Sequence, residues 1–297
     1  MDSKIYHIYD SAFKRILTLS SKAVVNLING LFGTEYSTDS KITYNWTEHE
    51  NKDLKWTLAD AILTINNKFS YHMEAQMTED EEIVFRVFEY GFGHAYQNRI
   101  VDKGEETLFF PQPRIIYLSE KEADKVQDEY VLKLNFGEQG TFCYRVPVVK
   151  LQRISTEELD KRKMVILIPF FLLKLRSKIQ KSRTKDNIEE LQYLILNDII
   201  GSINRNEEVG NISKMDAYNL KDLTLKLYWD IYAQYGELEE FTMRYDQSMR
   251  LESDKYDKSL DELEEEVREK NDIISELQDT IASLKQQLQE VTSQTAN

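Results

Sequence analysis

The chain has 297 residues, 41% of them hydrophobic, and a net charge of −14. That length suffices for one large domain or a domain with appendages. The acidic balance argues against a surface that coats nucleic acid broadly, and the single cysteine, Cys143, excludes an intrachain disulfide. The longest apolar run, Met164 to Leu173, is about half the ~20 residues that a membrane span needs, and it contains Pro169. The N-terminus has no apolar signal core. A cytoplasmic protein without membrane partners is therefore expected. The four histidines (His7, His49, His72, His94) are scattered and make no zinc pattern with one cysteine.

In chain order, Phe13, Ile16, Leu17, Val24, Leu27, Ile28 and Leu31 recur at helical spacing, with Gly33 placed as a C-cap. A short strand follows at "KITYNW". "WTLADAILTI" reads as a β-rich run, "NNK" as a turn, and "FSYHMEAQM" as the next strand. Thr78 and Glu81 have capping-box spacing ahead of a helix through "EEIVFRVFEYGFGHAYQNRI". After "PQP" comes the compact strand "RIIYLS". The order is α-β-β-β-α-β, a mixed α/β core. "EYVLKLNF" and "FCYRVPVVKL" add two strands, and from Ser155 the pattern is mostly helical. Three regions result: a core over 1–150, a helical extension over 151–250, and a tail over 251–297.

The extension contains a basic segment over 161–185, with nine Lys and Arg and no acidic residue. It reads either as a solvated helix face or as an arm that contacts phosphates through Lys174, Arg176, Lys178, Lys181 and Arg183. The tail has thirteen acidic and five basic residues. Leu260, Val267, Ile274, Ile281 and Leu288 repeat every seven residues. Leu263, Lys270, Leu277, Leu284 and Val291 repeat in the partner position. β-Branched residues in the middle a positions with Leu at most d positions favour a two-stranded parallel coiled coil, so a homodimer is expected. The alternative is an amphipathic helix folded back on its own domain.

A hairpin joined through Asn66, Asn67 and Lys68 pairs Ile65 with Phe69 and brings Asp60 opposite Glu74. Asp60, Glu74 and Gln76 then project from one face. Two unit charges about 4 Å apart repel by roughly 4 kcal/mol at an effective dielectric near 20. Protonation, an intervening base or a bound divalent cation relieves this. Hard oxygen ligands suit Mg²⁺, whereas Lys14 or Arg86 would neutralise a purely structural pair. With the carboxylates opposed, removing one should leave the fold intact or more stable.

The motifs "YDSAFKRIL", "LADAIL", "YHMEAQM", "FRVFEYGFGHAY" and "RIIYLS", in that order, resemble the recombination-promoting nuclease or transposase-like branch of the PD-(D/E)XK superfamily. The resemblance spans roughly residues 8–150, weakens through about 250, and excludes the tail. It implies a restriction-endonuclease-like core and a Mg²⁺- or Mn²⁺-dependent DNA endonuclease. Asp60 and Glu74 would be metal ligands, with the carbonyl of Ala75 a third and Asp10 an outer one. Gln76 stands where the superfamily usually has lysine, and Lys14 would supply the missing charge. Arg86 and Tyr90 resemble the family's R-x-x-x-Y pair, with Arg86 at DNA and Tyr90 bracing its helix. The competing reading is a catalytically inactive DNA-binding or coiled-coil interaction protein that keeps the fold.

Overall fold

A computed structural model describes residues 3–45, 48–50, 56–58, 61–121 and 123–249. Asp60 and the heptads of the tail lie outside these residues. The chain divides into two units, Met1–Thr242 and Met243–Asn297. The sheet and the helices packed on it lie in the first unit.

That unit opens with α1 (Ser3–Ile16) and α2 (Ser21–Phe32). The single apolar periodicity over this region is two helices. Ser20 breaks it by capping α2, its hydroxyl accepting from the Ala23 N–H. Gly33 ends α2 at φ 68°, and its N–H donates to the Asn29 carbonyl, as its placement after the last apolar residue predicts. The Ser20 N–H and hydroxyl both donate to Asp216, at 2.8 and 2.5 Å.

The main sheet has six strands: β1 (Ile42–Asn45), β2 (Ala61–Ile65), β3 (Phe69–Gln76), β4 (Gln112–Tyr117), β5 (Glu129–Asn135) and β6 (Thr141–Lys150). Their spatial order is β1-β2-β3-β4-β6-β5. The β3–β4 and β4–β6 pairs are parallel and the others antiparallel, so the sheet is mixed. Between β3 and β4 runs α3 (Ile83–Gln97), the crossover helix. The mixed α/β sheet expected from the sequence is present.

Two local expectations are corrected. Within "WTLADAILTI", Trp56–Leu58 pairs with Glu48–Glu50 in a separate two-stranded ribbon, and only Ala61–Ile65 joins the main sheet. Thr78 is not the cap of α3: that helix begins at Ile83, and Asp80 accepts the Glu82 N–H at 2.9 Å. Asp is an equally good local acceptor, and the "TED" turn positions it two residues nearer the helix than Thr78.

The β2–β3 turn is as expected. Asn66 and Asn67 sit at φ 52° and 54°, and Ile65 pairs with Phe69 through to Ala61 with Met73. Asn tolerates this left-handed region better than most residues.

On one face of the sheet, α3 buries Ile83, Val84 and Val87 against Ile115, Tyr130, Leu132, Tyr144 and Val146. Beyond β6 the chain is helical, with α4 (Thr156–Lys161), α5 (Arg176–Lys181), α6 (Lys185–Tyr193), α7 (Gly201–Glu208) and α8 (Lys214–Tyr232). The apolar run from Val165 is an eleven-residue 3₁₀ segment, Val165–Leu175, and Val165 to Leu173 are all buried. Burial on every side explains its unbroken hydrophobicity. No described helix is long and apolar enough to cross a membrane.

Gly30 marks where α2 meets this segment. Its carbonyl accepts from Arg162 at 2.7 and 3.2 Å. A Cβ there would lie 2.3 Å from Met164 Cγ and 2.4 Å from the Arg162 carbonyl oxygen. Alanine gains about 1 kcal/mol of helix propensity, but the backbone oxygen cannot swing aside. Gly30→Ala should therefore lose about 1–3 kcal/mol net, the scale of overpacking. Urea unfolding checks this, and a raised midpoint would show that the helices slide apart freely.

Candidate active site

Side chains alternate along β3, so Ser70, His72, Glu74 and Gln76 share one side. On α3, Arg86, Tyr90 and His94 follow one another at four-residue spacing and so share a helix face. The two rows meet. His94 Nε2 lies 3.1 Å from Ser70 Oγ, the His72 and Tyr90 rings are 6.2 Å apart, and Arg86 reaches Glu74. A polar seam thus runs between strand and helix, inside an otherwise apolar layer.

Glu74 is 4% exposed. Its Oε1 accepts from Gln76 Nε2 at 3.3 Å and from an Arg86 nitrogen at 3.4 Å. Its Oε2 lies 3.7 Å from His72 Nε2. Arg86 also donates to Asp80 at a much shorter 2.5 Å. One guanidinium therefore bridges the strand carboxylate and the turn that starts α3. Burial opposes the Arg86 charge, but Glu74 and Asp80 outweigh it and raise its pKa. His72 is fully buried, and neither ring nitrogen has a hydrogen-bond partner among the described residues.

Burial, with the nearby His72 second, lowers the pKa of His94 from its ordinary value of 6.5. The unfolded chain then binds more protons in mild acid than the folded one. The stability linked to His94 is complete above about pH 6.5 and is lost as the pH falls toward the lowered folded value. His94→Gln should flatten the decline in stability below about pH 6.5. Urea unfolding at two pH values reads this, and an unchanged slope would assign the acid sensitivity elsewhere.

Of the residues singled out from sequence, Glu74, Gln76 and Arg86 are brought together. Ala75 lies between the first two, its backbone paired with Ile116 of β4. Tyr90 is buried against Ile62 and His72, a bracing position. Lys14 and Asp10 pair with each other at 3.0 Å, one turn apart on α1. Among the described residues no group of three or more His, Cys, Asp or Glu is placed to hold a metal ion.

The basic segment splits into two sets. Lys174 donates to the Ile154 carbonyl at 3.0 Å and lies over the Phe171 ring, and burial lowers its pKa. Lys178 pairs with Glu190, and Arg183 with Glu237 at 3.0 Å. Arg176 and Lys181 instead line a cavity with Lys121. A spacing argument sees nine cations and cannot tell which are already neutralised.

His72, Asp80 and His94 belong to the seam but were not singled out from sequence. The period of two that joins Glu74 to Gln76 reaches His72 when run backwards, and the four-residue step from Arg86 to Tyr90 continues to His94. Comparison with protein-family models, with curated proteins and with solved structures gives no match.

Proposed function

We propose that this chain is a metal-dependent DNA endonuclease of the PD-(D/E)XK type, acting in recombination, mobile elements or defence. The observation that carries the reading is the Glu74–Ala75–Gln76 element. A buried carboxylate and an amide stand side by side at the end of β3, in a hairpin whose described register runs from Ile65–Phe69 to Ala61–Met73.

The donor set fits a hard cation. Glu74 presents carboxylate oxygens, and its contacts with Gln76 and Arg86 are long, while Arg86 holds Asp80 more closely. Glu74, Asp60 and the Ala75 carbonyl would hold Mg²⁺ or Mn²⁺, with Asp10 as an outer ligand. When bound, the ion supplies Lewis-acid polarisation of a phosphate and a lowered pKa for water. Gln76 donates a hydrogen bond to a phosphate oxygen but cannot act as a base near neutral pH. Arg86, anchored by Asp80, fixes the orientation of Glu74.

A second reading has its own support. The Arg86 guanidinium already neutralises Glu74, which is what a structural carboxylate needs. This favours a non-catalytic DNA-binding or interaction protein that keeps the fold. The experiment that separates the two is plasmid cleavage by wild type and Asp60→Ala across a Mg²⁺ and Mn²⁺ titration. Metal-dependent cutting by wild type alone supports the nuclease. No cutting by wild type at any metal concentration leaves the non-catalytic reading.

The tail is proposed to pair two copies of the chain. The number of chains per particle by light scattering should fall from two to one when residues 251–297 are removed, and two truncated chains per particle would place the dimer contact elsewhere.

A further inference from the structure

Beyond the end of β4 the chain turns through Ser119, Glu120 and Lys121 and meets α5. Together with Arg176, Ser177 and Lys181, these residues surround a cavity of about 170 Å³. A water's share of liquid volume is about 30 Å³, so the space exceeds that of a phosphate group. Ligands in open α/β sheets bind beyond the carboxyl ends of the parallel strands, which is where this cavity lies.

Three cations converge on it. Among the described residues none of them is in an ion pair, whereas Arg162, Lys178, Arg183 and Lys185 of the basic segment are. Arg176 is held over the Tyr9 ring, 6.0 Å from its centroid, and Lys121 is exposed. In a chain of net charge −14, three cations against one carboxylate, Glu120, around one space call for an anion.

Glu120 narrows the choice. Its Oε1 accepts the Ser177 N–H at 2.7 Å. Its Oε2 is buried and has no hydrogen-bond partner among the described residues. A buried acceptor costs free energy until it meets a donor. An anion without a proton, such as sulfate or a phosphodiester, would be repelled by this carboxylate. A phosphate that still carries a proton satisfies both features: its charged oxygens meet Lys121, Arg176 and Lys181, and its P–OH donates to Glu120.

We propose that this cavity is a binding site for a protonated phosphate group, either inorganic phosphate or, in mild acid, a terminal phosphate monoester whose second pKa is about 6. The site stands apart from the Glu74 seam and does not rest on the nuclease reading.

The test is calorimetric titration of the full chain with inorganic phosphate and with sulfate near neutral pH. Phosphate should bind at least about tenfold more tightly than sulfate. Lys121→Gln and Lys181→Gln should each weaken phosphate by about tenfold, the scale of one charge-assisted contact. Glu120→Gln should abolish the preference, because the amide can itself donate to sulfate. A further titration at about pH 5.5 compares a 5′-phosphorylated short DNA strand with the same strand bearing a 5′-hydroxyl. Tighter binding of the phosphorylated strand than of inorganic phosphate makes a nucleic-acid end the source. Equal binding of the two strands, with inorganic phosphate retained, makes free phosphate the source. Sulfate binding as tightly as phosphate, or no phosphate binding at ten-millimolar concentration, overturns the proposal.

Discussion

Glu74→Gln should lower metal-dependent DNA cleavage by about 10³-fold or more, while the unfolding midpoint barely moves. The amide keeps the size of the side chain and an oxygen that accepts from Gln76 and Arg86. What it loses is the charge that a hard cation requires, and a bound metal is worth several kcal/mol of charge stabilisation. Arg86 stays satisfied by Asp80 at 2.5 Å, so no cation is stranded. Single-turnover cleavage at saturating Mg²⁺ measures the rate, and a thermal melt measures the fold. A rate within tenfold of wild type would remove Glu74 from the site. Glu74→Ala is a different experiment. It removes the oxygens as well and leaves the half-buried Arg86 with one partner, so it should cost about 1–3 kcal/mol. The sequence-based expectation, that deleting a carboxylate is neutral or stabilising, took account of repulsion only. Arg86 reverses its sign.

The largest effect on stability is expected for Phe170→Ala. Phe170 is fully buried in the middle of the 3₁₀ segment and packs against Phe13, with ring centroids 6.4 Å apart. Truncating a buried Phe costs about 3–5 kcal/mol through lost transfer free energy and the cavity left behind. Native proteins have only about 5–15 kcal/mol in total, so the variant should be marginal. The backbone contact here, the Phe170 carbonyl accepting from Gln152 at 2.9 Å, survives the substitution. Urea unfolding gives the loss, and a value below about 1 kcal/mol would mean that the helical region repacks around the gap.

What the sequence disclosed, and what it hid, reflects the range of the physics involved. The β2–β3 register was legible because Asn66 and Asn67 are local signals for a left-handed turn, and the turn length sets every pair beyond it. Gly33 was legible for the same reason. The split at Ser20 was not, because the apolar period runs on across it and the break is reinforced from Asp216, far along the chain. The start of α3 was not legible because Thr78 and Glu81 offer a valid local capping pattern, whereas the helix begins only at Ile83, after a turn in which Asp80 accepts the Glu82 N–H. At the site, Glu74 and Gln76 were legible as same-face residues. Their partner was offered only as one of two bases, Lys14 or Arg86, and tertiary packing selected Arg86. Likewise the pairing of Lys178 with Glu190 and of Arg183 with Glu237 could not be read from a run of cations.

Asp216 serves two helices at once. It completes the capping box of Ser213 at the start of α8 and accepts both donors of Ser20 at the start of α2, across a separation of 196 residues. Arg15 reaches still further along the chain, to Asp222, and Asn26 reaches the Asn211 carbonyl. During synthesis, α2 leaves the ribosome long before its second capping partner exists. At about 5–20 residues per second, the wait is on the order of ten seconds or more. Until the Val165–Leu175 segment and α8 follow, the N-terminal helices carry apolar faces, Phe13 among them, that those later elements cover, which is when a chaperone would find its binding site.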